Sequence, residues 1–262
     1  MRFDLVISVT AHEQIDCLYN MYENIMRFTE GKRVLVIFNI NDELALKLNT
    51  VRVYENLIFN SKRSNKTKFS SDIFLAHLQN YDAVKGHNFD LFCTLASNCL
   101  FVRKPDWDII YKETPSLNVT TSIFKVPDTS KYLWDELLKN QHLVDVFTEE
   151  GVPPALSLHE GAFFKKEVFN YIYYFCILNR ITKETFTNDV IPAEETILPS
   201  LEKYATGVVS KRYCGLIPEI NEMDVLKIIQ TGTCPSLIGN HYNIVKVPRD
   251  MNNVLRKIIN QL

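Results

Sequence analysis

The first hundred residues switch repeatedly between two hydrophobic periods, and this alternation constrains the fold more than any other feature of the chain. Phe3-Asp4-Leu5-Val6-Ile7-Ser8-Val9 is a short β-branched apolar run, the form taken by a strand covered on both faces. From Ala11 to Phe28 the period becomes helical: Ile15, Leu18, Tyr19, Tyr22, Ile25 and Met26 share one face, and Gly31 supplies a stop. Val34 to Phe38 is a second strand, followed by the polar turn Asn39-Ile40-Asn41-Asp42-Glu43. Leu57 to Phe59 reads as a third strand, Ser70 to Val84 as a helix and Phe89 to Leu95 as a fourth strand. Strand–helix units of this length predict an α/β fold with a largely parallel central sheet flanked by helices. Such sheets take ligands at the carboxyl ends of their strands. The polar turns Thr10-Ala11-His12-Glu13, Asn39 to Asp42 and Ala96-Ser97-Asn98 are therefore the places to look for binding groups.

The second half is less regular. Leu117 to Lys125 reads as a strand, Lys131 to Val144 as a helix, and Gly151-Val152-Pro153-Pro154 as a loop. Helices follow over Lys165–Leu178 and Ala193–Tyr204, then a last strand at Ile244–Val247. The closing helix spans Met251–Leu262, with Val254, Leu255, Ile258, Ile259 and Leu262 facing inward. Nothing among the 262 residues resembles a flexible linker or a repeat, which predicts one continuous domain.

Composition removes several classes of function. A formal charge of -2 argues against a nucleic-acid partner, which needs a basic face. The six cysteines form no CxxC pair, so they read as buried thiols of a reducing compartment rather than zinc ligands. The start of the chain runs straight into a strand with no signal-peptide pattern, and the longest apolar stretch, Val168–Leu178, is too short to span a bilayer; a cytoplasmic protein is the expectation. The glycosylation sequons at Asn65 and Asn118 are then chance matches. GxGxxG, the Walker loop, GxSxG and HExxH are all absent, and His12-Glu13 and His159-Glu160 lack a second ligand at helical spacing.

The order of segments resembles the core-2/I-branching β-1,6-N-acetylglucosaminyltransferase family, with its xylosyltransferases and small bacterial and viral relatives. Ile7-Ser8-Val9-Thr10-Ala11-His12-Glu13 resembles the family's opening strand and histidine, and Val36 to Asn41 stands where the family has a strand ending in His-x-Asp. Leu57 to Arg63, Ser70-Ser71 with Ala76-His77-Leu78, and Phe89 to Asn98 follow its third strand, serine-led helix and fourth strand. His159-Glu160-Gly161-Ala162-Phe163-Phe164, Ala193-Glu194-Glu195-Thr196-Ile197 and Tyr242-Asn243-Ile244-Val245-Lys246 resemble its acceptor segment, catalytic carboxylate and lysine segment.

The resemblance implies a single GT-A-type nucleotide-sugar transferase domain. Residues 1–110 would form the nucleotide-sugar-binding half, and 111–262 the acceptor-binding and catalytic half. It implies an inverting, metal-independent enzyme with no cofactor beyond a UDP-sugar donor, moving GlcNAc, xylose or a similar sugar to a glycan or glycolipid. Glu195 matches the family's general base, with Glu194 beside it; the residues alone read first as acids favoured in a helix's first turn. Lys246 matches the lysine that faces the diphosphate. Arg249 and Arg256 are further candidates, and Lys211 and Arg212 are weaker ones. Thr10, His12, Asn41 and Asn98 would contact the nucleotide, Asn41 standing where the family has aspartate, with Asp42 available beside it. Glu160, Gly161 and Trp134 would meet the acceptor, although the residues alone favour Trp134 as ordinary core packing.

Three alternatives stay open. Asp106-Trp107-Asp108 is formally an Asp-x-Asp that a metal-dependent or retaining transferase would use, yet after Pro105 it reads as a helix start. A non-catalytic glycan- or nucleotide-binding domain is the second. The aromatic helix Phe164–Leu178, next to Lys165 and Lys166, is a candidate for peripheral membrane contact or for plain burial.

Overall fold

The computed structural model describes residues 2–11, 14–48, 54–61, 71–123, 134, 137–186, 192–215, 222–233 and 242–262. The alternating first part forms β1 (Arg2–Thr10), α1 (Ile15–Phe28), β2 (Val34–Asn39), α2 (Asp42–Lys47), β3 (Leu57–Asn60), α3 (Asp72–Val84) and β4 (Asn88–Ala96). After it come β5 (Cys99–Phe101), α4 (Trp107–Glu113), α5 (Gln141–Glu150), β6 (Ala162–Lys165), α6 (Lys166–Leu178) and α7 (Ala193–Thr206). The chain closes with β7 (Cys214–Gly215), α8 (Glu222–Thr231), β8 (Ile244–Lys246) and α9 (Val254–Asn260).

The predicted mixed α/β architecture is present. A five-stranded sheet runs in the order β3-β2-β1-β4-β6, parallel throughout except for the antiparallel edge strand β6. Alternate residues of its strands feed two separate cores, as the pleat requires. Leu5, Ile7, Val9, Val36, Phe38 and Leu91 pack with α1, α9 and the small sheet, while Val6, Leu35, Ile37 and Phe92 pack with α3, α5, α6 and α7. The register places Thr10 beside both Asn39 and Ala96, and Asn39 beside Asn60, so the carboxyl ends of four strands finish in one row. Beyond that row β5 turns back from β4 into a small sheet, β5-β8-β7, where Cys99 is paired with Lys246. A sequence-distant strand thereby delivers its lysine to the edge where ligands of such sheets sit.

Several expected elements differ. Leu117–Ile123, the described part of the expected strand, is extended but joins no sheet. Asn118 N–H donates to Ala205 O, and Thr120 N–H to Tyr204 O. The segment thus satisfies the orphan carbonyls at the carboxyl end of α7, which replaces a strand partner. The helix expected to reach Val144 is interrupted at Asn140, whose side chain accepts from Leu143 N–H and so starts α5 afresh. In α9 the inward face carries Leu255 and Ile259, but Val254 and Leu262 are 54% and 46% exposed. The fully buried residue at that position is Arg256, because its guanidinium finds Asn20 Oδ1 at 2.6 Å and Pro248 O at 3.3 Å. On α6 the residues Val168, Phe169, Ile172 and Tyr173 are core, while Ile177 and Leu178 are exposed. No helix among the described residues is long and apolar enough to cross a membrane.

Candidate functional site

The site grows from one tight turn. Gly161, just before β6, has φ +70°, and a Cβ there would meet the Cys214 backbone nitrogen at 2.5 Å, so only glycine fits without rearrangement. Its N–H donates to Thr94 O at 2.9 Å, and its carbonyl accepts from Tyr213 N–H at 3.1 Å. The Thr94 hydroxyl donates to His159 O at 2.5 Å. The His159-Glu160 pair is thereby clamped between β4 and the segment leading into β7, and both side chains are buried.

Glu160 and Lys246 form an ion pair through Oε1 and Nζ, the carboxylate buried and the lysine 30% exposed. The second oxygen, Oε2, lies 3.4 Å from His159 Nδ1 and has no hydrogen-bond partner among the described residues. Burial alone would lift the Glu160 carboxyl, but His159 and Lys246 outweigh it and hold it below the usual carboxylate range. Burial works against the charged Lys246 as well; Glu160 reverses this and raises the ammonium above its ordinary value. For His159 burial prevails, and the imidazole is pushed down.

The amino-terminal turn of α7 contributes two further carboxylates to the same field. Glu194 is buried, and burial together with the charges of Glu195 and Glu160 pushes it up to about 8. Glu195 is partly exposed and is also raised, by burial first and by Glu160 second. Its backbone carbonyl accepts from Ser157 N–H at 3.1 Å, which ties the helix start to the loop before His159. Asn98 carries the turn between β4 and β5. Its carbonyl accepts from Val247 N–H at 2.9 Å, and its side-chain Oδ1 is buried without a partner among the described residues. Ser97 N–H donates to Thr10 O at 3.2 Å, which joins the end of β1 to the same corner.

A second feature opens beyond β1 and β2, a cleft of about 460 Å³ between the starts of α1 and α2, lined by Gln14, Asp16, Asn41, Glu43, Leu44 and Lys47. Asn41 has a structural duty there: its side chain accepts from Leu44 N–H at 2.8 Å and caps α2.

The chain matches no family model, and no curated protein matches it. Solved structures do match. An active-site mutant of LgtC aligns over 98% of this chain and 94% of its own, at 10% identity and a TM-score of 0.45. Core-mannan synthase A from Aspergillus fumigatus, in its Mn/GDP form, aligns over 78% and 70% at 11% identity and a TM-score of 0.36.

Of the residues singled out in the sequence, Glu160, Gly161, Glu194, Glu195, Asn98, Thr10 and Lys246 belong to this corner or its field. His12 and Glu13 lie outside the described residues. Arg249 is exposed on the loop after β8. Arg256 and Arg212 are committed elsewhere: Arg212 donates to Glu202 Oε2 at 2.8 Å, to Leu158 O and to Ser210. Lys211 Nζ lies 3.5 Å from Glu113. Trp134 is fully buried in the second core, away from solvent. Asp106 caps α4 through Ile109 N–H, as the helix-start reading predicts, and Tyr111 of that helix donates to Asp4 O near the opposite end of β1. Sequence reasoning gave His159 no role of its own beyond its place in the acceptor-like segment. Cys99 and Cys214 are buried free thiols, as expected, and nothing in the sequence signals that their sulfurs lie 3.9 Å apart beside the lysine strand. Only the glycine after Glu160 hinted that this loop must be tightly packed.

Proposed function

We propose that the chain is a glycosyltransferase of the GT-A type. In this reading it moves a sugar from a nucleoside-diphosphate sugar, most simply a UDP-sugar, to a hydroxyl of a glycan or glycolipid. The observation that carries it is the convergence of one partly exposed lysine with Glu160, Glu194 and Glu195 at the carboxyl edge of the parallel strands. The nucleoside half of the donor belongs in the cleft beside Asn41, in residues 1–110, and the acceptor meets residues 111–262.

Transfer needs a base on the acceptor oxygen and a positive charge on the departing diphosphate. Glu195 suits the first role because it is the accessible carboxylate of its pair and burial raises its proton affinity. Glu194, holding a proton near neutral pH, keeps negative charge from accumulating around it. Lys246 supplies the second role without a metal ion, and a base acting opposite the leaving group gives inversion at the sugar carbon. The capping duty of Asp106 weighs against the metal-dependent alternative built on Asp106 and Asp108.

The test is transfer and UDP binding measured with chelator and with manganese, on wild type and Glu195→Gln. UDP binding should be unchanged by chelator, and Glu195→Gln should lower transfer by about 10²-fold or more while leaving UDP affinity intact. Binding that requires manganese, or full activity in Glu195→Gln, would remove the proposal.

A further inference from the structure

We infer that Glu160 is a resident counter-ion that competes with the donor's diphosphate for Lys246, and so sets how firmly the nucleotide product is held. The inference rests on the reading that Lys246 faces the diphosphate and goes on to assign the regulation of that contact.

The two partners differ in freedom. Glu160 is fixed by its backbone, since the next residue is the left-handed Gly161 wedged against Cys214, and the preceding carbonyl is held by Thr94. Lys246 extends a flexible stem from β8 and keeps part of its surface exposed. The carboxylate is buried, and its remaining oxygen lies 3.4 Å from His159 Nδ1, with no hydrogen-bond partner among the described residues. A buried carboxylate without a counter-charge is unfavourable, so in the resting protein the lysine's charge is committed to it. An arriving diphosphate therefore meets a cation that is already neutralised and a fixed negative charge beside it, with Glu195 on the neighbouring helix. Charges a few ångströms apart in a half-buried site act strongly on one another. Removing the Glu160 charge while keeping its shape should strengthen the hold on a multiply charged anion. A role for Glu160 confined to acceptor hydroxyls, or to propping the lysine in place, predicts the opposite sign or no change.

The consequence for turnover is product release, a step that often limits transferases and other enzymes. A carboxylate ready to take the lysine back lowers the barrier to losing UDP.

Calorimetric titration of UDP and UMP into wild type, Glu160→Gln, Glu160→Asp and Lys246→Met tests this. Glu160→Gln is expected to bind UDP about tenfold more tightly, with a smaller gain for UMP. Glu160→Asp, which withdraws the carboxylate by one methylene, should move the same way by about two- to threefold. Lys246→Met should bring UDP affinity down toward that of UMP. If Lys246→Met leaves UDP binding unchanged, the underlying reading of the lysine fails. If Lys246→Met weakens UDP but Glu160→Gln weakens it too or leaves it unchanged, the counter-ion role alone is overturned. Should Glu160→Gln fail to fold, Glu160→Asp decides by the same sign.

Discussion

Arg212 offers the sharpest separation of a structural cation from a ligand-binding one. Its partner Glu202 has a fully buried side chain, and Arg212 itself is 10% exposed. The other groups holding that carboxylate are the N–H and hydroxyl of Ser210, both on Oε1. Replacing Arg212 by Met leaves Oε2 without its 2.8 Å donor and also removes the bond from Nε to Leu158 O at 2.5 Å. Breaking a buried pair from one side typically costs about 3–5 kcal/mol, because the remaining charge is stranded. For a chain of this size that is a fall in Tm of roughly 6–20 °C. Urea denaturation of Arg212→Met, Glu202→Gln and the double variant gives the coupling directly. The double variant should recover most of the loss, since no stranded charge remains. A loss below about 1 kcal/mol in Arg212→Met, coupled with weakened UDP binding, would refute this reasoning and return Arg212 to the diphosphate.

Two further outcomes follow from the same corner. Glu194 takes its proton near pH 8 in the fold against an ordinary 4.5, so between these values the native state binds more protons and stability falls as pH rises. The penalty grows by up to about 1.4 kcal/mol per pH unit over that window. Glu194→Gln should flatten the stability–pH curve and exceed wild type above pH 8; parallel curves for the two proteins would show that Glu194 is not protonated in the fold. Gly161→Ala combines a left-handed backbone with a Cβ placed 2.5 Å from a backbone nitrogen, and a destabilisation of roughly 2–5 kcal/mol is expected in denaturant melts. A near-neutral effect would mean that the turn relaxes and does not clamp Glu160.

How much was legible in the sequence depended on whether a segment's partners were local. β1, β2 and β4 announced themselves because central parallel strands are covered on both faces and become continuous apolar runs such as Leu5 to Val9. The segment Leu117–Ile123 carries the alternation of a strand, yet its N–H groups go to distant helix-end carbonyls, Ala205, Tyr204 and Gly151, and its apolar side chains Val119 and Ile123 are exposed. β6, four residues long, was hidden inside the run Ala162–Lys165 that leads into α6. For the site, Glu194, Glu195, Glu160 and Lys246 were marked by family resemblance, and the structure brings them into one field. Arg256 differs for a physical reason: apolar periodicity puts Val254 and Leu262 inward and cannot show that Asn20 waits there to receive a guanidinium.

The pairing of Cys99 with Lys246 in the small sheet also fixes what evolution can alter there. Successive residues of a strand point to opposite sides, and Val245 and Val247, both buried, flank the lysine. Losing or gaining a single residue within β8 would carry a valine to the polar edge and drive the ammonium among hydrocarbon. The lysine's reach thus depends on a count of residues, and a one-residue insertion or deletion within β8 is expected to abolish it.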